Sequence, residues 1–344
     1  MNLSLVKEIV LDLVQRHHDT TGIGPDPYQP APMRHAMAEG KLLAAVAVLS
    51  ESRVLGAQQV ETIAASSLER LDTLQTENDQ GISFGLGFGW KGMSPATPFT
   101  ITTAVVVEGL ERISAVVRDP TPFESMAAET TRWLTSEEAL DPGSGLPNFS
   151  PAYPTVVTNV VGFWAHVLRD RHPDLAAAGR RHVDAAYVDD IGWTYVPDEN
   201  RLDLLHTCYT ARAVLGDADQ ARNIATAISR FITPSGLLDK VDVLSLEEAD
   251  AAASRATSTC ITIDGSRAYL LHAAPARLWS IGELLTVCAA RPGDGSLDGF
   301  WRSVAIRAIE QLGSMNLEAD GPRHTMHVAH GLASHLAAER SRNE

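Results

Sequence analysis

The chain has 344 residues and a mass of 37.0 kDa, enough for two average domains or for one large ring or barrel. With 44% hydrophobic and 21% charged residues and no long low-complexity tract, it has the composition of a globular protein with a sizeable core. Its 28 Lys and Arg against 43 Asp and Glu leave a formal charge of -15, which repels nucleic-acid phosphates and anionic membrane surfaces and removes nucleic acid as an expected partner.

The first apolar stretch, residues 3–17, carries Lys7, Glu8 and Asp12, so it reads as an amphipathic helix rather than an export signal or a membrane span. Cys208, Cys260 and Cys288 cannot all pair with one another and show no C-x-x-C spacing, which predicts reduced thiols and a cytoplasmic location. Apolar positions at helical spacing then predict inner helices beginning near Met33, Ile101, Thr155, Leu202, Leu271 and His324. Outer helices are predicted near Ala57, Pro122, Leu175, Ala218 and Leu297, with residues 3–17 as the sixth. The inner runs 101–110 and 278–285 carry little charge, whereas 66–73 alternates Glu69, Arg70 and Asp72 with apolar residues, as an outer helix should.

Six inner stretches open on His35, Thr103, Asn159, Thr207, His272 and Thr325, at intervals of roughly 50 to 70 residues, room for two helices and two loops. The whole chain, residues 1–344, therefore reads as one all-α domain, an α/α toroid of about six helical hairpins whose inner helices aim polar groups at one pocket. The longest loops, 81–98 and 236–267, are expected to carry binding groups; an extra helix is predicted at 244–255, and short extended pieces at 192–196 and 260–263.

Four constellations are candidates for chemistry. In the run from Phe84 to Trp90, alternating Gly85, Gly87 and Gly89 let backbone approach a ligand, and Trp90 offers a flat apolar face suited to a sugar ring; the plainer reading is a glycine turn with core aromatics. Trp193 and Tyr195 lead into Asp203, His206 and Tyr209, where one helical turn lets the carboxylate orient the imidazole as an acid/base pair, unless Asp203 only caps the helix. Asp264 and Arg267 end the long loop, with His272 just inside the mouth, and either face a ligand or pair with each other. His324 and His327 share one face at the sixth opening; with H-E-x-x-H and any Cys-His dipeptide absent, they are expected to transfer protons or hydrogen-bond, and neither a metal nor a cofactor is called for.

In residues 87–103, 192–209 and 276–283 the chain resembles the six-hairpin α/α toroids of the glycosidase-like superfamily, and within it the toroidal proteins of bacterial polysaccharide biosynthesis. The resemblance implies a saccharide in a central cleft, handled by hydrolysis, elimination or epimerisation, or bound without chemistry by a scaffold subunit of a synthesis complex. Hydrolysis implies Asp203 and Asp264, or Asp198 or Glu199 in substitution, as flanking carboxylates about 5.5 Å apart or more. A lyase or epimerase instead uses His206, Tyr209, His272 or His324 as base and acid. Trp90, Trp193 and Tyr195 are then expected to stack on the substrate, Arg267 to bind it, and His35, Asn159, His324 and His327 to hydrogen-bond its hydroxyls. Terpene cyclases and lanthionine-type cyclases use the same toroid; the first need a later Asp that Asp189 and Asp190 lack, and the second a local zinc motif that Cys260, Cys288 and His324 lack.

Overall fold

A computed structural model of the chain describes residues 3–189, 191–195, 201–245, 260–264, 267–271, 275–291, 295–317 and 320–343. Among the described residues twelve α-helices alternate between two layers: α1 (Leu3–Asp19), α2 (Ala36–Glu51), α3 (Ala57–Leu74), α4 (Thr100–Ser114), α5 (Thr121–Leu134), α6 (Thr158–Leu168), α7 (Pro173–Ala185), α8 (Leu204–Ala211), α9 (Ala221–Ser229), α10 (Leu278–Ala290), α11 (Asp298–Leu312) and α12 (Gly321–Asn343). The even-numbered helices form a closed ring, each packed on the next, with α12 returning to α2. The odd-numbered helices cover that ring from outside, α3 on α2 through α11 on α10, and α1 on α12. This is the α/α toroid that the apolar periodicity predicts.

Burial separates the layers. From Ala36 to Leu49 every residue of α2 is buried, because the helix meets two inner neighbours and an outer one. On α5 the buried set is a stripe, Phe123, Met126, Ala127, Thr130, Thr131, Trp133 and Leu134, facing α4 while the opposite side meets water. No helix among the described residues is long and apolar enough to cross a membrane.

Short antiparallel hairpins occupy the loops that feed the inner helices: β1 (Gly24–Asp26) with β2 (Gln29–Met33) before α2, β3 (Gln75–Asn78) with β4 (Gly81–Phe84) before α4, β5 (Asn148–Ser150) with β6 (Tyr153–Val156) before α6, and β7 (Tyr187–Val188) with β8 (Gly192–Trp193) before α8. The hairpin β10 (Ile232–Thr233) with β11 (Gly236–Leu237) follows α9. A four-stranded sheet, in the order β13 (Cys260–Asp264), β14 (Arg267–Leu271), β12 (Lys240–Ser245), β9 (Arg201–Asp203), joins the α8 and α10 entrances.

Two predicted elements are corrected. The fifth inner helix begins at Leu278 after Arg277 in extended conformation, not near Leu271, because the apolar run ending at Leu271 pairs as β14 with β12. A short apolar run satisfies either periodicity, and Pro275 disfavours helix in the residue before it. The extra helix expected over 244–255 is also corrected at its start, since Leu244 and Ser245 are paired in β12; the remainder lies outside the described residues.

The ring closes tightly because glycines sit where inner helices cross. A Cβ on Gly282 would collide with the His327 carbonyl of α12, and one on Gly331 would collide with the Gly282 carbonyl of α10. Gly282→Ala must push these helices apart and is expected to cost about 1–3 kcal/mol or more. Urea unfolding measures this against Gly299→Ala, where the space is open, and where a change within about 0.5 kcal/mol is expected.

Candidate functional site

A cavity of about 390 Å³ opens at the end of the ring where the inner helices begin. Each inner helix contributes residues near its start to it: Met37 from α2, Ile101 from α4, Asn159 from α6, Leu205, His206 and Tyr209 from α8, Arg277 and Trp279 at the start of α10, and Arg323 from α12. The entering loops add Tyr28, Leu86, Phe88, Trp90, Phe149 and Tyr195, so flat aromatic faces alternate with polar groups.

Asp203 is extended, with φ -129 and ψ 128, and caps α8: its Oδ1 accepts the His206 backbone N–H at 3.2 Å and lies 2.9 Å from His206 Nδ1. The cap and the acid/base partner are thus one carboxylate, and the two sequence readings hold together. Burial pushes the Asp203 carboxyl up, but His206, then Arg277, with its Nη2 3.5 Å away, hold it down at about 2. Arg277 is fixed in turn by Asp239 at 2.7 Å, and Asp239 accepts from Ser280 Oγ at 2.8 Å. The Tyr195 ring lies 4.3 Å from the His206 ring and covers it.

Tyr209 reaches a second histidine. His327 Nδ1 lies 2.6 Å from the Arg323 carbonyl oxygen, an acceptor only, so Nδ1 carries the proton and Nε2 accepts the Tyr209 hydroxyl at 2.8 Å. Burial raises the Tyr209 phenol well above its ordinary value; burial and then the Lys41 charge push His327 well below its own, so both remain neutral. Tyr209→Phe would strip the buried His327 Nε2 of its donor and is expected to cost about 1–3 kcal/mol in denaturant unfolding.

Beneath the cavity the ring axis carries a charge lattice that sequence reasoning missed. Lys41 of α2 bonds Glu108 of α4 at 3.2 Å and also pairs with Glu283 of α10. Arg212, just past α8, pairs with Glu108, lies 3.6 Å from Glu283, and donates to His166 Nε2 of α6 at 2.9 Å. Burial pushes Glu108 up, but Arg212 and Lys41 hold it well below the usual carboxylate range. The available signal was a lone charge in an otherwise apolar inner run, which must find a counter-charge at the axis.

The structure brings together six of the residues expected at the site: Trp90, Asn159, Tyr195, Asp203, His206 and Tyr209 all line the cavity. His35, His324 and His327 form a layer behind it. His35 donates from Nδ1 to the Leu86 carbonyl at 3.0 Å and lies 3.8 Å from Asp26, while His324 stacks under Trp279 at 4.2 Å and meets Asp320 at 3.3 Å. Trp193 is corrected: it is 2% exposed, packs on Tyr187 and donates to the Val183 carbonyl at 2.9 Å, in the wall between α7 and β8 rather than against a ligand. In the glycine run, Gly87 allows its own chain to pass Arg34, where a Cβ would sit 2.7 Å from the carbonyl oxygen, while Leu86, Phe88 and Trp90 of the same run line the cavity.

Asp264 and Arg267 face each other at the turn end of the β13–β14 hairpin, in the row of Ser245, whereas Asp203 stands in the row of Lys240. Five residues along β12 separate the backbones of those rows by about 17 Å. On that register the backbone does not bring Asp264 beside Asp203, and the side chains of Asp264 and Arg267 lie outside the described residues. His272, Asp198 and Glu199 lie outside the described residues. Site residues not foreseen are Tyr28, Arg201, Lys240, Arg277, Trp279 and Arg323; of these only Arg277 and Trp279 stood in a run singled out from the sequence.

No protein-family model and no curated protein sequence matches the chain. Solved structures do. A sugar epimerase from a ruminal bacterium superposes with a TM-score of 0.65 at 11% identity, over 97% of this chain and 98% of that one. A D-mannose isomerase does so at 0.64 and 11%, over 96% and 97%, and the type II terpene cyclase MstE from Scytonema at 0.57 and 12%, over 98% and 97%. The closed double ring and these superpositions establish the six-hairpin α/α-toroid fold for this chain.

Proposed function

We propose that the chain is a sugar-directed enzyme that moves a proton at the carbon next to a sugar carbonyl, an epimerase or isomerase. One observation carries this reading: Asp203 is the only carboxylate among the described cavity residues, and it is held 2.9 Å from His206 Nδ1. A lone carboxylate tied to an imidazole suits proton abstraction, whereas glycoside hydrolysis needs a second carboxylate across the bond. With Nδ1 occupied, His206 Nε2 takes the proton from C2 of an open-chain aldose, the C–H electron pair forms the C1–C2 double bond of an enediolate, and the negative charge goes to the carbonyl oxygen. Asp203 stabilises the imidazolium that results. Return of the proton to C2 after the enediolate has turned its other face to His206 gives the epimer, and return to C1, with the O2–H proton passing to O1, gives the ketose.

Trp90 and Trp279 offer faces for the sugar ring, and Asn159 and Tyr209 offer hydrogen bonds. The names of two superposed structures, a sugar epimerase and a D-mannose isomerase, support the same class. Four cationic side chains in the lining disfavour the hydrocarbon ligand of a terpene cyclase. Bacterial polysaccharide metabolism and a single-domain organisation belong to this proposal. The test is incubation with aldoses and ketoses in D2O, followed by proton NMR: loss of the C2 proton signal with appearance of an epimer or ketose is expected. Saccharide binding without exchange would make the chain a binding subunit, and release of reducing ends would make it a hydrolase.

A further inference from the structure

The described lining of the cavity carries an excess of positive charge. Arg201, Lys240, Arg277 and Arg323 line it, with Asp203 as the one carboxylate beside them among the described residues. The other carboxylates paired to these arginines do not reach the lining: Asp242 lies 2.7 Å from Arg201, Asp239 2.7 Å from Arg277, and Asp26 grips Arg323 at 2.9 and 3.1 Å. These pairs therefore turn their positive ends toward the cavity. Asp203 is committed to His206 and Arg277.

Lys240 stands opposite Asp203 in the β9–β12 register and lines the same wall, yet no hydrogen-bond or ion-pair partner meets its ammonium among the described residues. The N-termini of α2, α4, α6 and α10 also open at this end, and their cap residues make no side-chain cap hydrogen bond, so their positive dipole ends add to the field. All of this occurs in a chain of formal charge -15. A half-buried ammonium without a counter-charge is costly, and an anionic ligand removes that cost.

We infer that the sugar this cavity takes carries an oxyanion group, a carboxylate or a phosphate, with Lys240 as its counter-charge and Arg201 and Arg277 as the surrounding field. The inference takes its substrate class from the proton-transfer reading, but it is tested by binding alone. In His206→Ala, which lacks the proposed base, calorimetry compares gluco- and manno-configured hexoses, hexose 6-phosphates and hexuronates at low and high salt. At least one anionic series is expected to bind roughly ten-fold tighter than its neutral parent. That advantage shrinks with salt, and in the double variant with Lys240→Gln the ratio of anionic to neutral affinity falls toward one, with the thermal melt confirming that the variant is folded. Preference for phosphate or for carboxylate identifies the group. Neutral sugars binding as tightly as both anionic series, no binding of either, or an advantage that survives Lys240→Gln would overturn the inference. Wild-type protein that shows the anion preference but no C2 exchange would overturn the proton-transfer reading and leave this one standing.

Discussion

His206→Ala is expected to lower the rate of C2 deuterium exchange by about 10²- to 10⁴-fold, the range for loss of a positioned acid/base. The fold should be unaffected, because 25% of the His206 side chain is exposed and only its backbone N–H serves the α8 cap. Asp203→Asn separates the two duties of the carboxylate. Asn caps a helix about as well as Asp, so α8 should remain intact, but the imidazolium loses its anion and the exchange rate should fall by about 10²-fold or more. The Asp203 carboxyl is held at about 2, below the usual carboxylate value, so its stabilising charge is present throughout the working range and is lost only as pH falls toward that value. The pH dependence of exchange, measured by NMR from pH 5 to 9, should therefore contain no step from this carboxylate.

The second large effect is on stability. Glu283→Ala is expected to cost about 3–5 kcal/mol in urea unfolding, because it leaves Lys41 and Arg212 sharing one carboxylate, Glu108, at a buried axis. Pairing Glu283→Leu with Lys41→Met removes one charge of each sign and should recover a large part of that loss. The sign with pH follows from Glu108, whose carboxyl is held well below its ordinary value. Its contribution is fully present above the unfolded value of about 4.3 and is lost as pH falls through the lowered folded one. A profile of unfolding free energy that falls toward acid in the native chain, and falls less in the double variant, is the expected outcome.

The architecture was legible because an inner helix and an outer helix leave different traces in composition. α2 has no exposed face over fourteen residues, and α3 begins at Ala57, where the sequence places it. The fifth inner helix was misplaced because the run ending at Leu271 has the hydrophobicity of either element, and only its partner β12, distant in sequence, decides between them. At the site the legible residues were those on the loops that feed inner helices, Trp90 and Tyr195, and those at the starts of these helices, Asn159, Asp203, His206 and Tyr209.

The arginines and Lys240 were illegible because a cation defaults to solvent; the position of Asp26, Asp239 and Asp242 behind the wall turns the arginines inward, and the pairing of β12 with β9 sets Lys240 opposite Asp203. Trp90 and Trp193 look alike in sequence, each following a Gly. One lies over Phe149 at 5.4 Å beside the cavity, and the other is sealed against Tyr187 at 5.2 Å, a difference made by tertiary packing alone.

Helix α12 touches α10 on one side and α2 on the other, and it also brings Arg323 to the cavity and His327 to the layer behind it. During synthesis, everything up to α11 can assemble only into an open arc, with the apolar flanks of α2 and α10 still wet. Entry of this one segment seals the seam and furnishes the chamber in the same event, so the nascent protein cannot recognise its ligand before it has become a ring.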